Sequence, residues 1–123
     1  MSVEFVPPTM PTPHRVLLLG AATGWYDASD EERRDRALPR FAAVVEEWRR
    51  LGARPLATLD DDLFMVGPPS GPDFTWYLLF EVDDLDVVVA MIQAVRESVD
   101  GVRLDEYVRF QARIGRPFFL LEN

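Results

Sequence analysis

The chain reads as an α+β domain of order β-α-β-β-α-β: a four-stranded antiparallel sheet with two helices on one face. Three observations predict this. Phe74, Trp76, Leu78, Phe80 and Val82 alternate onto one apolar face, and Thr75, Tyr77, Leu79 and Glu81 take a mixed one, which is the period of a strand. Asp83 and Asp84 then supply a turn and an N-cap. After them Leu85, Val88, Val89, Ile92, Val95 and Val99 fall at helical spacing, so one stripe of that helix is apolar. An earlier apolar run, Arg15 to Thr23, is likewise followed by an amphipathic stretch.

Taken in order, residues 1–14 form an arm with prolines at 7, 8, 11 and 13, a spacing that favours extended chain. It is either a loose tail or an arm packing over a neighbouring subunit through Phe5, Val6 and Met10. The single α+β domain spans 15–123. Its first strand, Arg15 to Thr23, contains Gly20, which suggests close approach of another backbone or a ligand. Ser29 and Glu32 make a capping box. Leu38, Phe41, Val45 and Trp48 give the first helix its apolar stripe, Pro39 kinks or divides it, and Gly52 stops it.

Ala53 to Leu59 reads as the second strand, with Leu63 to Val66 as a continuation after a bend. Gly67 to Asp73 is a loop rich in glycine and proline. The third strand and second helix follow, the helix ending at Asp100-Gly101. Leu104 to Ile114 is the last strand, with Tyr107, Arg109, Gln111 and Arg113 on one face. The apolar tail, Phe118 to Leu121, is expected to dock on its own subunit or cross to a partner. The uncovered sheet face, with Tyr77, Leu79 and Tyr107, is apolar enough to suggest a homodimer packed sheet to sheet.

Composition excludes much chemistry. At 123 residues and 48% hydrophobic content the chain can bury a core as one domain. A net charge of −8 disfavours both nucleic acid and anionic membranes as partners. No run approaches the roughly 20 apolar residues of a membrane span, and the N-terminus lacks the pattern of a signal peptide, so a cytoplasmic location is expected. The absence of cysteine removes disulfides and thiolate chemistry, and the absence of lysine removes Schiff-base chemistry on that residue. One histidine cannot build the usual two- or three-histidine metal sites. Asp60, Asp61 and Asp62 read as a solvated turn, and Gly20 to Gly24 matches neither dinucleotide nor phosphate loops. No metal or organic cofactor is expected.

What remains is an aromatic and arginine set. Trp25, Tyr26, Trp48 and Trp76 are candidates to line a substrate pocket between helices and sheet, or are simply core. Arg109 and Arg113 could stabilise a carboxylate or enolate, or form surface ion pairs. Tyr107 could assist in stabilising such charge. His14, the only histidine, could act as a general base without a cofactor, or be incidental.

The β-α-β-β-α-β layout over about Arg15 to Ile114 resembles the ferredoxin-like, dimeric α+β barrel superfamily. The segment ATGWYDASDEERRDRALPRF is also similar to darcynin-type small proteins. The superfamily resemblance implies a homodimer with a pocket between helices and sheet. It further implies cofactor-independent chemistry (an oxygenase, cyclase or isomerase) on a small aromatic or polyketide-like metabolite. A non-catalytic binding or structural homodimer is the other expectation.

Overall fold

The computed structural model describes residues 12–61, 66–67, 74–118 and 120–121. Strand β1 is His14–Ala21. It leads into a short helix α1, Thr23–Asp27, and then a helical run made of α2, Asp30–Glu32, a π-helical turn, Arg33–Ala37, and α3, Leu38–Arg50. Strands β2, Arg54–Asp60, and β3, Trp76–Val82, follow, then helix α4, Leu85–Arg96. A two-residue hairpin, β4 (Ser98–Val99) and β5 (Val102–Arg103), precedes a 3₁₀ turn, Leu104–Glu106, and the last strand β6, Arg109–Gly115. The main sheet has the order β2-β3-β1-β6 and every pairing is antiparallel. With the small hairpin set aside, this is the ferredoxin-like order.

Register fixes the two faces. Val16 lies between Phe80 and Ile114, Leu18 between Leu78 and Ala112, and Gly20 between Trp76 and Phe110. These residues meet the helices. Val16, Leu18 and Val82 are fully buried there with Val44 and Trp48 of α3 and Met91 and Val95 of α4. Burying side chains of this size contributes about 1.5–3 kcal/mol each. The Trp48 indole also donates to the Met91 carbonyl at 3.0 Å, so the largest core residue leaves no buried donor unsatisfied.

Local chemistry explains the element ends. Ser29 Oγ accepts from the Glu32 N–H at 3.1 Å, and Asp84 accepts from the Asp86 N–H at 2.8 Å, so both helix starts are capped as their sequences imply. Gly52 takes φ +96° at the end of α3, a conformation that favours glycine. At Gly20 a Cβ would lie 2.9 Å from the Phe110 ring, so the expected close approach comes from an aromatic side chain. Pro39 sits in the first turn of α3, directly after the π-helical turn, where the Leu38 N–H donates to the Arg33 carbonyl. The wider turn accommodates a residue that cannot donate and would clash with the carbonyl four residues back.

Three expectations are corrected. Helix α4 ends at Arg96, so Val99 is not on its stripe; Leu85 and Val89 are exposed and Val88, Met91, Ala94 and Val95 are buried. Three consecutive valines left the phase of that stripe undetermined. Asp100 and Gly101, both with positive φ (53° and 76°), form the turn of the β4–β5 hairpin instead of a helix stop. The last strand starts at Arg109, because the 3₁₀ turn interrupts the alternation before it and buries Leu104, Tyr107 and Val108 together. The tail residues Phe118, Leu120 and Leu121 are 58%, 70% and 75% exposed in the single chain, with Phe118 beside the groove over Leu17 and Leu79. The arm up to residue 11 and the expected continuation of β2 at 63–65 lie outside the described residues.

Candidate functional site

The space between helices and sheet is occupied mainly by aromatic rings. Trp76 meets Trp25 edge-on at 5.9 Å, Tyr26 at 6.5 Å and Phe41 at 5.7 Å between ring centroids. Trp48 packs on Phe80 at 5.5 Å and Phe110 at 5.7 Å. Each such pair is worth about 0.5–1.5 kcal/mol beyond its burial. Trp48 is 1% exposed and serves the core. Trp76 is half-buried and reaches the edge of the layer, where it lines a cavity of about 250 Å³ with Phe41, Thr58, Leu59, Asp60 and Leu78.

A second cavity, of about 290 Å³, opens on the other flank between α4 and β6. Ile92, Val95 and Phe110 give it apolar walls, and Arg96, Arg109 and Asp105 border it. Helix α4 delivers Arg96 in its last turn, and Arg109 is the first residue of an edge strand. Asp105 is held by Arg103 at 2.6 Å. Arg109 is therefore the one member of the expected catalytic group that borders a helix–sheet cavity. Arg96 and Asp105 were missed by sequence reasoning; their spacing carries no motif, and only the β4–β5 hairpin brings them together.

Tyr107 points elsewhere. It is 3% exposed, and its hydroxyl donates to Glu32 Oε1 at 2.8 Å. Burial, and then the Glu32 carboxylate, push the phenol above its ordinary value. Its backbone is committed too, since the Trp25 N–H donates to the Tyr107 carbonyl at 2.8 Å. Beside this contact, a Cβ on Gly24 would overlap the Glu106 carbonyl oxygen. Arg33 completes the junction, donating from Nε to the Trp25 carbonyl at 2.8 Å and from Nη2 to the Tyr26 carbonyl at 3.2 Å. Trp25 and Tyr26 are thus fixed by the loop after β1, with Tyr26 41% exposed.

His14 lies at the far end of β1. It pairs with Val82, whereas Arg109 pairs with Ala21; seven strand residues separate them, about 23 Å at 3.3 Å each. The catalytic group expected from the sequence (Arg109, Tyr107 and His14) therefore does not converge.

Arg113 projects to the open sheet face and lines a groove of about 350 Å³ with Arg15, Leu17, Leu79, Arg116 and Phe118. Among the described residues no three metal-ligating side chains cluster. Asp61 accepts from the Tyr77 hydroxyl at 2.9 Å, and Asp62 lies outside the described residues. No described helix is long and apolar enough to cross a membrane.

Neither a family model nor a curated protein matches this chain. Among solved structures, a protein of unknown function from Rhodopseudomonas palustris is similar over 86% of this chain and 82% of its own, at 18% identity and TM-score 0.51. That likeness shows a shared fold. The second RNA recognition motif of RNA-binding protein 19 aligns over 88% of this chain and 90% of its own, at 17% identity and TM-score 0.33. A score that low says nothing about function.

Proposed function

We propose that this protein binds a small aromatic metabolite bearing an acidic oxygen, a carboxylate or an enolate, in the cavity between α4 and β6. The carrying observation is that Arg96 and Arg109 border a cavity walled by Phe110, Ile92 and Val95. An arginine fork suits two oxygens of one acid group, and an aromatic wall suits the body of the ligand. The volume is at the lower end of ligand pockets, about 300–1,000 Å³, which limits the ligand to one or two fused rings. A single chain supplies every residue in the argument, so the reading stands for monomer or dimer alike.

A catalytic version of this reading, cofactor-free isomerase, cyclase or oxygenase chemistry on a polyketide-like substrate, requires a proton acceptor in the same cavity. Asp105 is the carboxylate that borders it, held by Arg103 at 2.6 Å. Binding without turnover needs no such group and is the reading the geometry supports best.

Titration calorimetry with 2-naphthoate and its neutral counterpart 2-naphthalenemethanol tests the proposal. The acid is expected to bind at least 10-fold more tightly, and Arg96→Gln and Arg109→Gln each to remove most of that advantage. Equal binding of the two compounds, or acid binding unaffected by both variants, overturns it. Asp105→Asn separates catalysis from binding: it would abolish proton exchange at an enolisable substrate while leaving naphthoate affinity in place.

A further inference from the structure

The groove on the open sheet face is bordered by arginines, in a chain of net charge −8. By register this face carries Arg15, Leu17, Leu19 and Ala21 from β1, Arg54, Ala57 and Leu59 from β2, Tyr77, Leu79 and Glu81 from β3, and Arg109, Gln111 and Arg113 from β6. Arg109, at the start of β6, borders the α4–β6 cavity, which leaves Arg15, Arg54 and Arg113 on this face. Arg54 is engaged by Glu81 at 3.3 Å and Asp83 at 3.0 Å, and Asp61 accepts from the Tyr77 hydroxyl at 2.9 Å. The groove lies at the β6 end of this face. Leu17 and Leu79 are half-buried beneath it, Pro117 and Phe118 form a wall, and Arg15, Arg113 and Arg116 border it; none of the described residues that line it is acidic.

We infer that this groove binds an amphipathic carboxylate, an unbranched alkyl chain ending in one acid group. The aliphatic leucines and the proline accept the chain, and the guanidinium groups of Arg113 and Arg116 accept the carboxylate, a pairing that arginine geometry favours. A volume of about 350 Å³ accommodates a chain of medium length. Charge selects this occupant over a second copy of the protein. A second copy packed over the groove would have to bury Arg113 and Arg116, for which the described residues of the groove offer no carboxylate.

The test uses the full chain with labelled leucine, isoleucine and valine methyl groups, titrated with decanoate, decanol and decyltrimethylammonium. Decanoate is expected to shift the Leu17 and Leu79 signals saturably and to leave Ile92 and Val95, in the other cavity, unmoved. Decanol should bind at least 10-fold more weakly, and the ammonium compound more weakly still. The double variant Arg113→Gln/Arg116→Gln should lose at least 10-fold in decanoate affinity while keeping its methyl dispersion, which shows that it is folded. Equal binding of decanol, or shifts confined to Ile92 and Val95, overturns the inference. So does sedimentation as a dimer that decanoate does not alter and that shields Leu17 and Leu79. Shifts of these leucines with a single-stranded RNA but not with decanoate would assign the face to nucleic acid, and would equally overturn it.

Discussion

The covered and open faces of the sheet are drawn from the same strands by strict alternation, yet they reach different states. Leu18 points toward the helices and is fully buried; Leu17, one residue earlier, points away and is only half-buried. On the covered side Val16, Leu18, Phe80 and Val82 are buried in the core, and Gly20 leaves the room that Phe110 needs. On the open side the centre is apolar and the border is arginine. Alternation decides which residues share a face, and whether that face closes depends on what the rest of the chain brings over it. Here the helices close one side, and within the single chain the other stays open.

The comparison breaks or sharpens under substitution. Trp48→Ala should be the most costly, at about 3–5 kcal/mol in denaturant unfolding, because it opens a cavity and strands the Met91 carbonyl contact. A loss below 1 kcal/mol would mean the covered face is loosely packed. Leu18→Ala should cost about 2–5 kcal/mol, and Leu17→Ala well under half of what Leu18→Ala costs in the same assay. Equal losses would show that the open face is closed in solution.

Tyr107→Phe tests the junction beside the covered face and should cost about 1.5 kcal/mol through its bond to the Glu32 carboxylate. The sign of its pH dependence follows from the phenol's raised pKa. The contribution is complete below the unfolded value of 10.0 and is lost as pH climbs through the higher folded value. The variant's alkaline unfolding curve should therefore lack that limb.

The smallest effect belongs to the open border. Arg54 holds the Asp83 carboxyl below its ordinary 3.8, chiefly through their hydrogen bond. The resulting stabilisation is present above pH 3.8 and lost as pH falls through the folded value. Because the pair is exposed, Arg54→Gln should barely move the melting temperature at neutral pH. Its clear result is an Asp83 titration returning to the ordinary value by NMR, with the wild-type shift diminished in high salt.

Much of the framework was legible in the chain. The alternation read from Phe74 to Val82, realised over Trp76 to Val82, the caps at Ser29 and Asp84 and the stop at Gly52 are local features, and the structure realises them. Gly20 is tightly approached, but by the Phe110 side chain and not by a backbone or ligand. The β4–β5 hairpin was harder to see, because Asp100-Gly101 is flanked by only two strand residues on each side. A strand that short has no alternation to read. Tyr107 was assigned to a face by continuing the period of β6 backward across a 3₁₀ turn, where the period does not hold. The candidate site was the least legible part. Trp48 and Trp76 look alike in sequence, and only the position of α3 makes one of them core and the other an edge residue.

The π-helical turn at Arg33–Ala37 has a consequence for how this helix tolerates changes of length. A turn of this kind holds about one residue more than an α-helical turn, so it behaves as a single-residue insertion absorbed without breaking the helix. Deleting Asp35 would restore regular bonding and leave the residues on either side in nearly their present angular phase. Arg33 would keep its reach to the Trp25 and Tyr26 carbonyls, whereas Pro39 would lose the wide turn that accommodates it. The extra residue thus gives the proline room without turning the first half of the helix away from the loop after β1 or the second half away from the sheet.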